Sequence, residues 1–282
     1  MSARVPATAP PESPELPDAA RPRWPPWLGF AAMGAGTLAV LFLGIPILPA
    51  ILLTETDGAV GALALLAALV VQDATFVGAA VFLASRRGRP RPWHFGIRPS
   101  PPRRTILIAV LVALLLFGFE VGYIELLGVD ESNTEDLGGE SGVLAALALS
   151  GAVIVVAPVT EEIFFRGFFY RALRTRLRVW LAAPINGLIF GSLHFQGLSS
   201  LEILPVIAVF GIGVCLVYEA TASIFAVIAI HAAFNTFAVA GTDVGVLVPL
   251  LVGLAVVAVC VVVPVRLRAA PSPFPRRVAT AA

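Results

Sequence analysis

The sequence predicts an all-α membrane protein: a polytopic bundle of about eight transmembrane helices with both termini in the cytoplasm. Its composition is 58% hydrophobic and only 13% charged, with a mean hydropathy of +0.92. Soluble domains carry roughly a quarter charged residues, so a soluble globular class is excluded. The apolar residues also fall into separate runs of about 20 residues, the length that a helix needs to cross the hydrocarbon core. The placement of the arginines between these runs supplies the orientation.

Eight apolar runs predict the transmembrane helices in order. The predicted spans are 27–53, 59–84, 105–127, 146–171, 180–197, 202–218, 222–240 and 244–264. They form one transmembrane domain at 26–265, between tails at 1–25 and 266–282. Because the first tail is rich in proline, alanine and acidic residues and lacks an apolar core, we interpret it as a disordered cytoplasmic tail and not a cleaved leader. The second tail has the same character.

The arginines set the predicted orientation, since the chain contains no lysine. Positively charged residues concentrate on the cytoplasmic side of membrane proteins. With eight spans, four arginine groups share one side, and they lie at 4–23, 86–104, 171–178 and 266–277. The opposite side carries an acidic run at 130–140, and Arg166 alone lies deep inside a span. The sequence therefore predicts a multi-pass protein of the plasma membrane with cytoplasmic N and C termini.

The most informative residues are ionisable groups inside apolar spans. Glu161, Glu162 and Arg166 lie in the fourth span, and His194 and His231 lie in the fifth and seventh. A helix rises 1.5 Å per residue, so these groups are predicted about 15 to 20 Å above the cytoplasmic face on three different helices. Charged side chains at this depth cost several kcal/mol and are functional candidates by default. The helices could bring them together in one layer.

The two glutamates of the fourth span are predicted to point in different directions. Glu162 and Arg166 are four residues apart and share a helix face, so they can pair. Glu161 is rotated by about 100° from Glu162 and points elsewhere. Arg166 would then neutralise Glu162 and leave Glu161 for proton transfer, for which an apolar site suits a carboxylate general base. The alternative is an ion-pair cluster that only locks the helices together.

One further residue pair and a single histidine contribute to the hypothesis. His231 and Asn235 are four residues apart, and together they can donate two hydrogen bonds to a developing oxyanion. They can equally well bond across helices. His194 taken alone is just as typical of a residue that hydrogen-bonds between helices.

Two hydrolytic chemistries fit these residues. In one, Zn²⁺ or another divalent metal is bound by Glu161, His194 and His231, and the second glutamate deprotonates the metal-bound water. In the other, Glu161 and His194 activate water without a metal. The chain lacks an H-E-x-x-H motif, so ligand spacing gives the metal no specific support. Cys215 and Cys260 are interpreted as buried thiols.

Three motifs on successive spans resemble one known family. The motifs are Glu161-Glu162-x-x-x-Arg166, Phe190-x-x-x-His194 and His231-x-x-x-Asn235. They resemble those of the CAAX-processing and bacteriocin-processing (CPBP or Abi) intramembrane endopeptidases, which include the type II CAAX prenyl endopeptidases. The resemblance covers about 105–240 and implies an eight-helix bundle with a cavity that opens towards the cytoplasm.

The resemblance also implies roles for the motif residues. Glu161 would activate water with His194, and His231 and Asn235 would stabilise the oxyanion. The remaining positions, Glu162, Arg166 and Phe190, would support the site. The family's common name includes "metalloprotease", yet a metal-free mechanism is equally compatible with these residues.

The expected function is hydrolysis of a peptide bond in a membrane-embedded or membrane-associated protein or peptide. The expected partners are this substrate and the lipid bilayer, with no nucleic acid. The alternatives are a non-catalytic scaffold or bacteriocin self-immunity protein with the same fold, and a transporter that titrates Glu161 and His194. A transporter more often shows an internal repeat, which this sequence lacks. The arginine-only, alanine-rich composition is typical of a GC-rich bacterial genome.

Three polar residues lie in spans but outside the motifs. They are Gln72 and Asp73 in the second span and Glu120 in the third. We interpret Asp73 and Glu120 as packing residues that hydrogen-bond across helices.

Overall fold

The computed structural model describes residues 24–53, 59–98, 100, 102–129, 143–195, 197–242 and 245–269. Within these ranges the regular structure is entirely helical, so the predicted all-α class is confirmed. The helices are α1 (Pro26–Leu53), α2 (Ala59–Ser85), α3 (Pro102–Leu127), α4 (143–174), α5 (Val179–Ser192), α6 (Leu204–Thr221), α7 (Ile224–Ala240) and α8 (Leu247–Ala269). Two short 3₁₀ turns, Pro92–Phe95 and Leu198–Glu202, lie between them.

Most of the helices are apolar enough to cross a membrane. Among the described residues, six helical segments have the length and composition of a membrane span. The two shorter helices α5 and α7 are also apolar. The chain is therefore a multi-pass membrane protein. The number of eight spans and the cytoplasmic termini stay predictions, and the acidic run at 130–140 lies outside the described residues.

Helix α4 leaves the α-helical hydrogen-bond register twice. It consists of an α-helical start, a first π-helical segment, an α-helical turn, a second π-helical segment and an α-helical end: Val143–Ser150, Gly151–Val156, Ala157–Glu162, Ile163–Tyr170 and Arg171–Arg174. π-Helical segments are rare and occur frequently at functional sites. The α-helical turn that carries Glu161 and Glu162 lies between the two of them.

The fifth helix is shorter than its apolar run. The sequence predicts a span at 180–197, but α5 ends at Ser192, and His194 lies in the turn that follows. The chain then passes through Gly197, whose φ of +141° is a conformation that glycine adopts readily. The prediction that His194 lies on the fifth helix was therefore wrong. Hydropathy reports apolar surroundings and does not report where the backbone leaves the helical conformation.

Helices α5 and α6 cross with their backbones nearly in contact. A Cβ added to Gly187 would lie 2.6 Å from the backbone nitrogen of Ile212. A Cβ added to Gly211 would lie 2.8 Å from the Cα of Gly187. Small residues allow this close approach between membrane helices, where apolar burial gives little driving force for association. The crossing also brings the Gly211 carbonyl next to Arg166.

We expect Gly187→Ala to lower the free energy of unfolding by about 1–3 kcal/mol, because the added methyl overlaps backbone atoms of α6 that cannot move independently. Thermal unfolding in detergent measures the effect. Gly122→Ala on α3 is the matched control, since its Cβ would meet nothing within 4 Å. Equal effects of the two substitutions would contradict the proposed tight crossing.

The C-terminal ends of α4 and α6 are joined by an ion pair. Arg174 contacts both carboxylate oxygens of Glu219, at 2.6 Å and 3.0 Å, and the Tyr170 hydroxyl donates to the same carboxylate at 3.0 Å. Beside α4, Trp24 is buried against the ring of Phe168, 4.8 Å away between centroids. Trp24 belongs to the segment predicted as the first tail, and residues 1–23 and 270–282 lie outside the described residues. The domain boundaries stay predictions.

Candidate active site

The buried ion pair of Glu162 and Arg166 joins three helices at the centre of the site. Glu162 Oε1 accepts a hydrogen bond from Arg166 Nη1 at 2.7 Å and lies 2.8 Å from His231 Nδ1. Glu162 and Arg166 are fully buried, and the pairing inferred from their four-residue spacing is present in the structure. Arg166 Nη2 also donates to the Gly211 carbonyl at 3.0 Å. The arginine thus ties α4 to α6, and the glutamate ties α4 to α7.

His231 lies between the two glutamates. Its Nδ1 faces Glu162, and its Nε2 lies 3.9 Å from Glu161 Oε2. The side chain of Glu161 is 22% exposed, yet its Oε2 is buried and has no hydrogen-bond partner in the described part of the chain. Glu161 therefore points away from the Glu162–Arg166 pair, as the 100° rotation predicts. Its carboxylate is available to a ligand next to His231 Nε2.

The turn after α5 fixes the protonation of His194. Its Nδ1 lies 2.9 Å from the Phe190 carbonyl oxygen. Because a carbonyl oxygen can only accept a hydrogen bond, Nδ1 must carry the proton. In the neutral ring Nε2 is then unprotonated and can act as a base. The hydrogen bond thus leaves Nε2 as a hydrogen-bond acceptor in the neutral ring.

Phe190 packs against three of the polar residues. Its ring centroid lies 4.8 Å from that of His194 and 5.8 Å from that of His231. The guanidinium carbon of Arg166 lies 4.5 Å from the same centroid, within cation–π range. Phe210 contacts the His231 ring from α6 at 5.2 Å between centroids. These rings hold the imidazoles in place, as the supporting position of Phe190 implies.

Asn235 makes a hydrogen bond across helices, which is one of the two alternatives left open by its spacing from His231. Its Nδ2 donates a hydrogen bond to the Val153 carbonyl at 2.7 Å. Val153 lies in the first π-helical segment of α4, so one N–H of the amide is directed at that helix. His231 instead presents its Nε2 to Glu161. The second N–H of the amide is not used in this contact, so a role of Asn235 as an oxyanion donor stays a prediction.

Asp73 and Thr160 belong next to the site, although no motif surrounds either of them in the sequence. The Thr160 hydroxyl donates to Asp73 Oδ2 at 2.6 Å, which joins α4 to α2 one residue before Glu161. Asp73 hydrogen-bonds across helices, as expected of a packing residue. Its nearness to Glu161 follows from the tertiary structure. The only signal in the sequence is that an aspartate lies inside an apolar span.

The described side chains do not fit a metal ion in this arrangement. No group of three or more His, Cys, Asp or Glu residues in the described ranges could hold one. Of the three predicted ligands, His231 directs one nitrogen to Glu162, and His194 directs one to the Phe190 carbonyl. Both hydrogen bonds use Nδ1 and leave Nε2 of each ring, so a divalent metal at Glu161, His194 and His231 stays a prediction. We derive no step through a metal.

An apolar groove lies on the far side of α7 from His231. It has a volume of about 200 Å³ and lies between α3, α7 and α8. Ala109, Ala226, Ala229 and Cys260 are among its lining residues. Its walls are not formed by the motif residues, so it is not the cavity that the family resemblance implies.

Comparison with known proteins finds similarity to one family. The family model described as "Type II CAAX prenyl endopeptidase Rce1-like" matches residues 143–237, which is about a third of the chain and contains all three motifs. No curated protein and no solved structure matches the chain. The Rce1-like family is a protease family, so the match supports a peptide hydrolase. The resemblance inferred from the three motifs is confirmed: residues 143–237 are similar to the type II CAAX prenyl endopeptidases.

Proposed function

We propose that this protein is an intramembrane endopeptidase that hydrolyses a peptide bond of a membrane-associated protein or peptide. The observation that carries the proposal is the position of His231, which Glu162 holds with Nε2 facing Glu161. A structural ion pair alone would require Glu162 and Arg166 but not a second carboxylate beside them with a buried, unpartnered oxygen. The family match gives independent support for proteolysis.

The charges of the cluster suggest how it is prepared for catalysis. Glu161, Glu162 and Arg166 together carry a net charge of −1 when ionised, and a net charge is unfavourable in an apolar interior. One further proton, shared between Glu161 and His231, makes the cluster neutral. With that proton on His231, Nδ1 donates to Glu162 and Nε2–H is free to donate to a substrate. Glu161 is then a carboxylate able to accept a proton.

The proposed reaction uses these groups in sequence. Glu161 and the unprotonated Nε2 of His194 orient a water molecule, and Glu161 accepts its proton as the water oxygen bonds to the scissile carbonyl carbon. His231 Nε2–H donates to the resulting oxyanion. When the tetrahedral intermediate collapses, the carbon–nitrogen bond breaks and the proton passes from Glu161 to the leaving amine. The products are a carboxylic acid and an amine, which become a carboxylate and an ammonium group by proton exchange, and water supplies all the added atoms.

The direct test compares the N termini of membrane proteins in host cells that express either the wild type or Glu161→Ala at equal levels. We expect a set of N termini that is present with the wild type and absent with Glu161→Ala. Those termini would identify the substrate. Identical sets, together with a deletion phenotype that Glu161→Ala still rescues, would instead support the non-catalytic scaffold or self-immunity alternative.

A further inference from the structure

We propose that the groove between α3, α7 and α8 binds an anionic phospholipid of the surrounding bilayer, with one acyl chain in the groove and the phosphate at its mouth. The mouth is the end of the groove at which α3 and α7 begin, and Ser100, Pro102 and Ser223 line it. The motif residues do not line the groove, so this inference goes beyond the proposed function and does not depend on it.

The groove has the length of one acyl chain. On α3 its lining residues extend from Pro102 to Ala113, which corresponds to about 16 Å along the helix axis. Half of the hydrocarbon core of a bilayer is about 15 Å thick. The space is left by alanines of α3 and α7, which are Ala109, Ala113, Ala226, Ala229 and Ala233. The groove therefore matches the part of a lipid that lies within a single leaflet.

The groove is open to the lipid that surrounds the protein. Ile106 and Val110 on α3 and Val261 on α8 line it and are still 43%, 49% and 40% exposed. A lipid can therefore enter sideways from the bilayer. None of the described residues that line the groove is acidic, so the walls do not repel an anion.

Two helix N termini contribute to the mouth. α3 begins at Pro102, and α7 begins at Ile224, with Phe225 and Ala226 of its first turn lining the groove. The N–H groups in the first turn of a helix have no partners within the helix, and this end of the helix dipole carries a partial positive charge. Helix N termini are for this reason common phosphate sites.

Ser223 provides an observation that points to a ligand independently of the helix ends. It is the N-cap residue of α7, yet its side chain makes no capping hydrogen bond. The residue lines the groove and is 0% exposed, and its hydroxyl has no hydrogen-bond partner in the described part of the chain. A buried hydroxyl without a partner is costly, and a phosphate oxygen at the mouth would accept its hydrogen bond.

Arginines supply full positive charges at the mouth. Arg103 precedes the groove-lining residues Ile106 and Val110 by three and seven positions, so it lies on the same face of α3, one turn nearer the helix start. Arg98 lies next to Ser223, because its Nε donates to the Ala222 carbonyl at 2.8 Å. Guanidinium groups form strong hydrogen bonds with phosphate. An apolar groove below a positively charged mouth is complementary to an anionic phospholipid.

The experiment is thermal unfolding of the full-length protein, purified in detergent and depleted of lipid, at increasing concentrations of added lipid. Phosphatidylglycerol should raise the unfolding temperature by about 5 °C at saturation, because a ligand that binds the folded state stabilises it. Phosphatidylcholine with the same acyl chains and inorganic phosphate should each raise it by less than about 1 °C. An equal effect of phosphatidylcholine would exclude recognition of the negative charge, and an equal effect of inorganic phosphate would exclude a role of the groove. Either result would overturn the proposal.

Two pairs of variants test the groove and its mouth. Ala229→Leu fills the groove and should abolish the effect of phosphatidylglycerol, whereas Ala255→Leu, at an exposed alanine of α8 outside the groove, should respond as the wild type does. Arg103→Gln should raise the lipid concentration that gives half of the effect about fivefold, the expected cost of one arginine near a lipid headgroup. Arg104→Gln is the matched control, because Arg104 is rotated by a further 100° around α3, away from the groove.

Equal responses of Ala229→Leu and Ala255→Leu to phosphatidylglycerol would contradict the inference. If Ala229→Leu does not fold, the two arginine variants decide, since both arginines are exposed, and identical lipid responses would then overturn the proposal. Conversion of a dimer into a monomer by Ala229→Leu, with the lipid effect intact, would show that a second copy of the chain occupies the groove instead. A wild type that cleaves nothing would defeat the proposed function alone, because lipid binding is measured without a substrate.

Discussion

Glu161→Gln is expected to reduce peptide-bond hydrolysis at least about a hundredfold while leaving the protein folded. Glutamine keeps the size of the side chain but cannot accept a proton from water. The carboxylate it replaces has a buried oxygen without a hydrogen-bond partner among the described residues, and it lies one residue from a second glutamate. The unfolding temperature should therefore stay the same or rise, since a residue kept for chemistry contributes little to stability.

Cleavage of a substrate identified by its new N terminus, measured with purified protein in detergent or in vesicles, gives the rate. Glu120→Gln on α3 is the control, because it changes the charge of an intramembrane glutamate outside the motifs. It should keep most of the activity. Activity that survives Glu161→Gln within a few-fold of wild type would exclude Glu161 as the general base.

Arg166→Met is expected to have the largest effect on stability, a loss of about 3–5 kcal/mol. The substitution leaves the fully buried carboxylate of Glu162 without its main counter-charge, 2.7 Å away in the wild type. It also removes the hydrogen bond to the Gly211 carbonyl, which ties α4 to α6. Thermal or denaturant unfolding in detergent measures the loss, and the yield of folded protein should fall with it.

The double variant Glu162→Gln with Arg166→Met distinguishes the effect of the buried charges on stability from their effect on cleavage. Removing both charges should restore most of the stability, because an uncharged pair leaves no buried ion uncompensated. Cleavage should stay strongly reduced, since a neutral glutamine can no longer stabilise the positively charged form of His231. Arg104→Met, at an exposed arginine near the start of α3, is the control and should change stability by less than about 0.5 kcal/mol. If Arg166→Met is as stable as the control, the ion pair is not a structural element of the site.

The contact that Asp73 makes could not be predicted from sequence motifs. Its position inside an apolar helix marks it as unusual, but a single sequence gives no sign that it meets Thr160 beside Glu161. The Asp73–Thr160 and Asn235–Val153 contacts both join residues that are far apart in the chain, and their pairing is decided by helix packing.

The sequence by itself determined the class of this protein and the residues of its candidate site. Apolar runs predict helices because a backbone in lipid must satisfy its own hydrogen bonds, and ionisable residues inside those runs stand out because they are costly there. The spacing of Glu162 and Arg166 fixes their pairing through helix geometry alone.

Only the tertiary structure determined which of these residues contact one another and where each one lies. It placed His231 between two glutamates, turned one N–H of Asn235 towards the Val153 carbonyl and ended α5 before His194. The structure also contains two π-helical segments in α4 and a close crossing of α5 and α6 at Gly187 and Gly211. Register shifts and helix contacts arise from side-chain packing between distant segments, which hydropathy and local spacing do not encode.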